Sequence, residues 1–242
     1  MLQNNNVLTG ASYLLEGFKL LFKPGLKRFV ILPLIVNMLV FISLFFLSYH
    51  FFNQFNHWIE SQLPHWLHWL GFILWALFFV GFSLLVLYTF IILANLIAAP
   101  FNSFLAEKVE WYLTGKTHEQ TFWATCKDFP RAMGRQLAVL GYYIPRAGVF
   151  IILFFIPIIQ LFAAFIWFGF NAWMMSLQYL DYPTDNQRIA FKTVRAQLNK
   201  KRWLILGFGL SVLIFTMIPI LNFFVIPAAV AGATKLWIEN YP

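Results

Sequence analysis

Charge is scarce in this sequence. Of its 242 residues 11% are Asp, Glu, Lys or Arg, where an ordinary soluble domain has roughly a quarter. Those few charged side chains cannot give a chain of this size a polar skin. With 61% apolar residues and a mean hydropathy of +0.72, a water-soluble globule is excluded. Cysteine is nearly absent: Cys126 stands alone, which rules out an intrachain disulfide and a cysteine-based metal or iron–sulfur site. Acidic residues are also short, 9 against 17 Lys and Arg, giving a net charge of +8 and a pI near 9.7. In a soluble protein such a balance raises nucleic acid as a partner. Here the cations lie between apolar runs, where they meet anionic lipid headgroups and fix orientation, so nucleic acid is set aside and membrane lipids are expected as partners.

Catalytic signatures are missing as well. Thr114-Gly115-Lys116-Thr117 has the ending of a phosphate-binding loop, but Glu110 occupies the position of its first glycine. No nucleophile elbow and no HExxH occurs, so no enzyme, no catalytic residue and no cofactor is expected. His57, His65 and His68 gather near Glu60, but beside Trp58, Trp66 and Trp69 they read as interfacial side chains, and no metal site is expected. The first six residues lack a basic start leading into a short apolar stretch, so no removed leader is expected.

What is present is long apolar sequence. Four stretches carry no charge: 29–59, 61–106, 147–180 and 203–234. About 20 helical residues cross a hydrocarbon core of about 30 Å. The first stretch fits one crossing, with Pro33 near its start. The second fits one crossing with an extension, its character changing at Asn95, Pro100 and Asn102. The third has 34 residues, about 51 Å of helix, short of the roughly 60 Å and a turn that two crossings need. Charge bears on the same point. Residues 1–28 hold four Lys and Arg, 53–66 none, 107–146 six and 181–202 six. Basic segments face the cytoplasm, so the N-terminus is predicted cytoplasmic and both flanks of 147–180 belong on one side. A hairpin that enters part way and returns meets both conditions, broken at Pro157 or near Gly169 and Asn171.

The fourth stretch resembles the third. Ile156-Pro157-Ile158-Ile159-Gln160 aligns with Ile218-Pro219-Ile220-Leu221-Asn222, 62 residues later. We read this as an internal repeat, and paired Pro-interrupted segments point to a transport pathway, although kinked hydrophobic hairpins have the same look. The predicted fold is an all-α integral membrane protein in a single membrane domain, 1–242. It comprises an interfacial helix (8–28), a first crossing (29–59), a second crossing with its extension (61–106) and a basic cytoplasmic segment (107–146). A first partly penetrating hairpin (147–180), another basic segment (181–202) and a second hairpin (203–234) complete it. Leu14, Leu15, Phe18, Leu21 and Phe22 set the apolar face of the interfacial helix, with Thr9 as its N-cap. Arg188, Lys192, Arg195, Asn199 and Arg202 form a stripe on a second cytoplasmic helix, suited to lipid headgroups.

Neither full crossing has a charged residue at its centre, where ion-coupled carriers place one, so conduction through backbone and amide groups fits better. Glu107 and Glu110 at the edges keep proton coupling open. The cations beside the apolar segments favour an anion. In Pro24-Gly25-Leu26-Lys27-Arg28-Phe29 a glycine turn precedes a long helix, whose first N–H groups lack partners, and two cations adjoin it. The same residues also suit a plain cytoplasmic stop of a membrane helix. Arg131, Arg135 and Arg146 add forked donors near Pro130 and Pro145, where they equally suit lipid headgroups.

The run Pro24-Gly25-Leu26-Lys27-Arg28-Phe29-Val30-Ile31-Leu32-Pro33-Leu34, with Asn37, resembles the first-crossing signature of the CysZ family of bacterial inner-membrane sulfate permeases. Ala94-Asn95-Leu96-Ile97-Ala98-Ala99-Pro100-Phe101-Asn102, Asp128-Phe129-Pro130-Arg131, Tyr143-Ile144-Pro145-Arg146, Asp181-Tyr182-Pro183 and Phe215-Thr216-Met217-Ile218-Pro219 follow in order, so the resemblance spans nearly the whole chain. It implies sulfate uptake across the inner membrane for cysteine biosynthesis, two long crossing helices with partly penetrating hairpins, and a homo-oligomer of at least two copies. It also implies a sulfate-binding turn at Gly25, Leu26, Lys27 and Arg28, with Gly25 and Leu26 as backbone donors and Arg28 as a side-chain donor. Lys27 departs from the family's usual arginine, keeping the charge without the fork. Asn37, Asn95, Glu107, Arg131 and Arg135 are candidate pathway residues, equally able to cap helices or join protomers. Sulfite and thiosulfate have similar chemistry, and a lipid-binding membrane scaffold is the alternative of another class.

Overall fold

The computed structural model describes residues 5–62, 68–115 and 129–241. Among these, every regular element is helical: α1 (Val7–Leu21), α2 (Arg28–Gln62), α3 (His68–Thr114), α4 (Phe129–Phe154), α5 (Ile159–Asn186), α6 (Phe191–Leu198), a 3-10 turn (Asn199–Lys201), α7 (Arg202–Thr216) and α8 (Pro219–Asn240). Five described segments are long and apolar enough to cross a membrane: Arg28–Trp58, Trp69–Ala94, Gly134–Phe154, Ile159–Asn186 and Leu221–Asn240. This is an all-α membrane protein, the architecture that satisfies every backbone group without water. His65, Lys116, Thr117, Cys126 and Asp128 lie outside the described residues, as do the side chains of Glu60, His68 and Asn95.

The helices gather into two compact units, Ile31–Pro100 and Met1–Val30 with Phe101–Pro242. The first is the hairpin of α2 and α3. Phe41 meets Phe90 at 5.8 Å, Phe51 meets Phe82 at 5.8 Å, and Phe55 stacks on Phe78 at 3.8 Å. Partner numbers fall as those on α2 rise, so the two helices run antiparallel and an aromatic ladder zips them. Pro33 sits in the second turn of α2 because that helix starts at Arg28; the helix continues through it. Pro100 likewise leaves α3 unbroken, yet the first compact unit ends there.

In the other unit α1 buries Gly10, Tyr13, Leu14, Gly17, Leu20 and Leu21, one face at helical spacing. Glycine explains what covers that face. A Cβ on Gly10 would overlap the Leu204 carbonyl of α7, one on Gly17 the Ala228 carbonyl of α8, and one on Gly232 the Tyr13 carbonyl of α1. Backbones approach to van der Waals contact, the packing that small residues permit in membranes. The apolar face expected to meet lipid is therefore largely taken by α7 and α8, while Leu8, Leu15 and Phe22 stay exposed. The N-cap is Asn6, whose side chain accepts from the Leu8 N–H at 3.1 Å, and not Thr9.

Helix α4 ends at Phe154 and α5 begins at Ile159, a break centred on Pro157; α7 ends at Thr216 and α8 begins at Pro219. Around the first break Phe155 donates to Ile152, Ile156 to Leu153 and Gln160 to Ile156; around the second Met217 donates to Ile214, Ile218 to Phe215 and Asn222 to Ile218. Three backbone hydrogen bonds thus recur at the offset of the sequence repeat. The arms of the first hairpin are 26 and 28 residues, longer than its charge-free stretch because the helices run on through Arg131, Arg135, Asp181 and Asp185. In the second, α7 has 15 residues, about 22 Å of helix, and α8 has 22.

The basic stripe does not lie on one helix. Arg188 precedes α6 in a left-handed conformation (φ 56°), Lys192 and Arg195 belong to α6, Asn199 to the 3-10 turn and Arg202 to α7. The 3-10 turn, with its tighter winding, breaks the expected periodicity.

Candidate functional site: the turn before the first long helix

Proline and glycine shape the turn between α1 and α2. Pro24 offers no N–H to continue a helix, and Gly25 takes φ +85°, a left-handed conformation costly for any residue with a Cβ. Leu26 is the anchor: its side chain is buried and its N–H donates to the Lys23 carbonyl at 3.2 Å. Phe29 then donates to Leu26 and Val30 to Lys27, both at 3.1 Å, and α2 follows. The N–H groups of Gly25, Lys27 and Arg28 make no backbone hydrogen bond among the described residues. Of the two expected backbone donors, Gly25 is thus open and Leu26 is engaged within the turn, with Lys27 and Arg28 supplying open N–H groups instead.

Both cations project from this turn into exposed positions. Neither Lys27 nor Arg28 forms an ion pair among the described residues, and the Arg28 guanidinium lies 5.0 Å from the centre of the Phe29 ring. Free N–H groups, the positive end of a 35-residue helix and two unneutralised cations are therefore collected within four residues. Chemically such an arrangement suits an anion with several oxygens. A Cβ on Gly25 would meet nothing within 4 Å, so the glycine is there for its backbone and leaves open space above the turn.

Asn37 lies further along α2, and its Oδ1 is buried without a hydrogen bond among the described residues. Asn95 is on α3, and its side chain is outside the described residues. Glu107 is a half-buried residue of the last third of α3.

Arg131 and Arg135 have a different setting. Arg135 Nε donates to Asp181 at 2.7 Å, and its two terminal nitrogens donate to the Ile189 carbonyl and the Thr184 hydroxyl at 2.5 and 2.8 Å. Its side chain is 9% exposed. Arg131 grips both oxygens of Asp185, at 2.5 and 3.3 Å. These two arginines, one turn apart on α4, clamp two aspartates, one turn apart on α5. Nearby Ser103 and Asn186 exchange two hydrogen bonds, Asn102 donates to Tyr182, Gln187 donates to Glu110 at 2.9 Å, and Trp237 donates to Gln187 at 2.9 Å. The polar seam ties the last third of α3 and the start of α4 to α5 and α8. From the sequence the arginines are candidate pathway residues, while Asp181 and Asp185 belong to a family-like block with no role as their partners. The signal lay in two charge pairs of opposite sign, each at four-residue spacing, which put matching faces on two helices.

Among the described residues no group of three or more His, Cys, Asp or Glu side chains gathers to hold a metal.

Residues 13–227 match the family described as Sulfate transporter CysZ/Etoposide-induced protein 2.4. Over 239 residues the chain is 45% identical to a protein of Pseudomonas fluorescens named Sulfate transporter CysZ, covering 97% of this chain and 94% of that one. A protein of the same name from Salmonella typhimurium is 45% identical over 236 residues, 96% and 92% of the two chains. One from Pectobacterium atrosepticum is 42% identical over 238 residues, 96% and 86%.

Proposed function

From the premise that this chain belongs to the family of Sulfate transporter CysZ and Etoposide-induced protein 2.4, we propose that it carries sulfate into the bacterial cell across the inner membrane, without ATP hydrolysis, for cysteine biosynthesis. The observation that carries the reading is the turn at Gly25–Arg28, with open N–H groups and two unpaired cations, in a chain whose full-length relatives are named for sulfate transport. Sulfate accepts from the Gly25, Lys27 and Arg28 N–H groups and the Arg28 guanidinium, with Lys27 adding a point charge and Leu26 anchoring the turn. The N-terminus and this turn face the cytoplasm. Within the long helix pair Asn37 offers its amide to the passing ion, and Asn95 is kept as a candidate pathway residue. Glu107 is the candidate for proton coupling. Arg131 and Arg135 are assigned instead to the clamp with Asp185 and Asp181, because both guanidiniums are paired with carboxylates there. The exposed apolar tips of both hairpins support an assembly of at least two copies, which would cover them.

The test is radiolabelled sulfate uptake into proteoliposomes, with and without a pH gradient, beside empty vesicles and Arg28→Ala. Protein-dependent uptake that falls at least tenfold in the variant supports the reading, as expected when a charge-assisted contact is removed. A response to the gradient assigns proton coupling, and indifference to it assigns a channel. Uptake unchanged by Arg28→Ala contradicts the site; no uptake from well-assembled protein contradicts the function.

A further inference from the structure

Two arginines from different helices converge on one tyrosine ring. The Arg146 guanidinium lies 3.8 Å and that of Arg195 4.7 Å from the centre of Tyr142. Arg146 comes from the next turn of α4 and donates to the Tyr142 carbonyl at 2.8 Å; Arg195 comes from α6, and Phe191 of α6 meets the ring edge-on at 6.2 Å. Neither guanidinium meets a carboxylate among the described residues. A ring face attracts a cation, but two cations gathered at one ring also repel, so the arrangement lacks an anion.

The surroundings identify which one. One face of α4 packs its rings on α5, and the other exposes Ile144, Ile151 and Ile152, an apolar face suited to lipid. An unneutralised guanidinium is costly in hydrocarbon and at home among headgroups. Helix α6 turns Val194 and Leu198 inward and exposes Lys192, the pattern of a short helix lying at the water boundary. Because Arg195 and Arg146 share a ring, α6 and this turn of α4 stand at one level, and two cations beside an amphipathic helix suit the bilayer surface. Toward the hairpin tip, α4 exposes Val149 and Ile152, an apolar track for acyl chains.

We propose that Arg146, Arg195 and Tyr142 form a binding site for the phosphate of an anionic phospholipid headgroup. The two forked guanidiniums take the phosphate oxygens, and the ring holds both planes in place. The site is distinct from the Gly25–Arg28 turn and does not depend on the sulfate reading. A free phosphate or sulfate ion presents the same oxygens, so the test separates the sources.

Delipidated full-length protein in detergent is titrated with phosphatidylglycerol, with phosphatidylcholine and with inorganic phosphate, and bound lipid is counted by native mass spectrometry. The wild type retains phosphatidylglycerol in preference to phosphatidylcholine. The Arg146→Gln, Arg195→Gln double variant loses that preference by roughly tenfold or more, the expected effect of removing two headgroup-directed cations. Lys200→Gln, a cation of the 3-10 turn, leaves it unchanged. Arg146→Lys with Arg195→Lys keeps the charge without the fork and falls between, which keeps the test decisive where the glutamine pair assembles poorly. Equal phosphatidylglycerol retention by wild type and both double variants overturns the proposal. So does displacement of the lipid by millimolar inorganic phosphate or sulfate, which makes this a site for free oxyanions.

Discussion

The two Pro-broken hairpins, α4–α5 and α7–α8, share a sequence signature and the same three backbone hydrogen bonds at their tips, yet both arms of the second lie in the packed core whereas only α5 of the first does. Most of α8 beyond Val225 is buried, α5 buries one side from Ala172 to Asn186, and α4 is the most exposed of the three. Glycine and alanine make the difference. In α7 and α8, Gly207, Gly209, Ala228 and Gly232 let neighbouring backbones close in, whereas Gly148 of α4 and Gly169 of α5 have nothing within 4 Å of a Cβ. The second hairpin is held by close packing against α1, and α5 of the first packs as closely on α7, where a Cβ on Gly209 would overlap the Ala172 carbonyl; α4, the outer arm, is held near its base by ions. Close backbone packing thus holds three of the four arms and an ion clamp holds the remaining one, α4, and each can be removed separately.

Removing the ions should have the largest effect. Arg135→Met leaves Asp181 without its guanidinium and costs about 3–5 kcal/mol, the penalty of an uncompensated buried charge. Arg131→Met should cost less, because Arg131 is more exposed and Asp185 keeps Arg135 at 3.4 Å. Thermal denaturation followed by size exclusion reads both, and equal effects would break the assignment of Arg135 as the central clamp. Next is the packing. Gly232→Val forces α8 from α1 and costs roughly 1–3 kcal/mol or more, while Gly148→Val in the first hairpin stays within about 0.5 kcal/mol. A reversal of that order would mean that another copy packs on α4.

Gly25→Ala has room for its methyl group, so its cost is conformational, about 1 kcal/mol, and it should lower sulfate affinity with little change in assembly. The smallest effect is at high pH. Tyr13 of α1 is pushed up to about 12, mainly by burial and by its hydrogen bond to Glu239 at the end of α8. Its folded value is raised, so its contribution is full below the unfolded value near 10 and is lost as pH rises through about 12. Tyr13→Phe should flatten the stability curve in that window, as measured by thermal midpoints across pH.

Much of this was legible in the sequence. Charge-free length located the long helices, and the two Ile-Pro-Ile runs located both breaks and their kinship. Pro24 and Gly25 announced the turn before α2, and Gly25 does adopt a positive φ. Other features were not legible because they depend on pairs of helices. Leu14 and Leu21 read as an apolar face, but only Gly17 meeting Ala228 settles that protein covers it. Periodicity carried the basic stripe from Arg188 to Arg202 as one helix, since nothing in cation spacing announces the 3-10 turn at Asn199–Lys201. Charge boundaries set the hairpin arms too short, because Arg135 and Asp181 neutralise one another and let their helices continue past them.

The central claim is that sulfate is held at the turn before α2, and equilibrium binding tests it most directly. Purified protein is titrated with sulfate by calorimetry beside Arg28→Ala and Lys200→Gln. A site for sulfate lost in Arg28→Ala and kept in Lys200→Gln is the predicted result; equal affinity in all three proteins contradicts it.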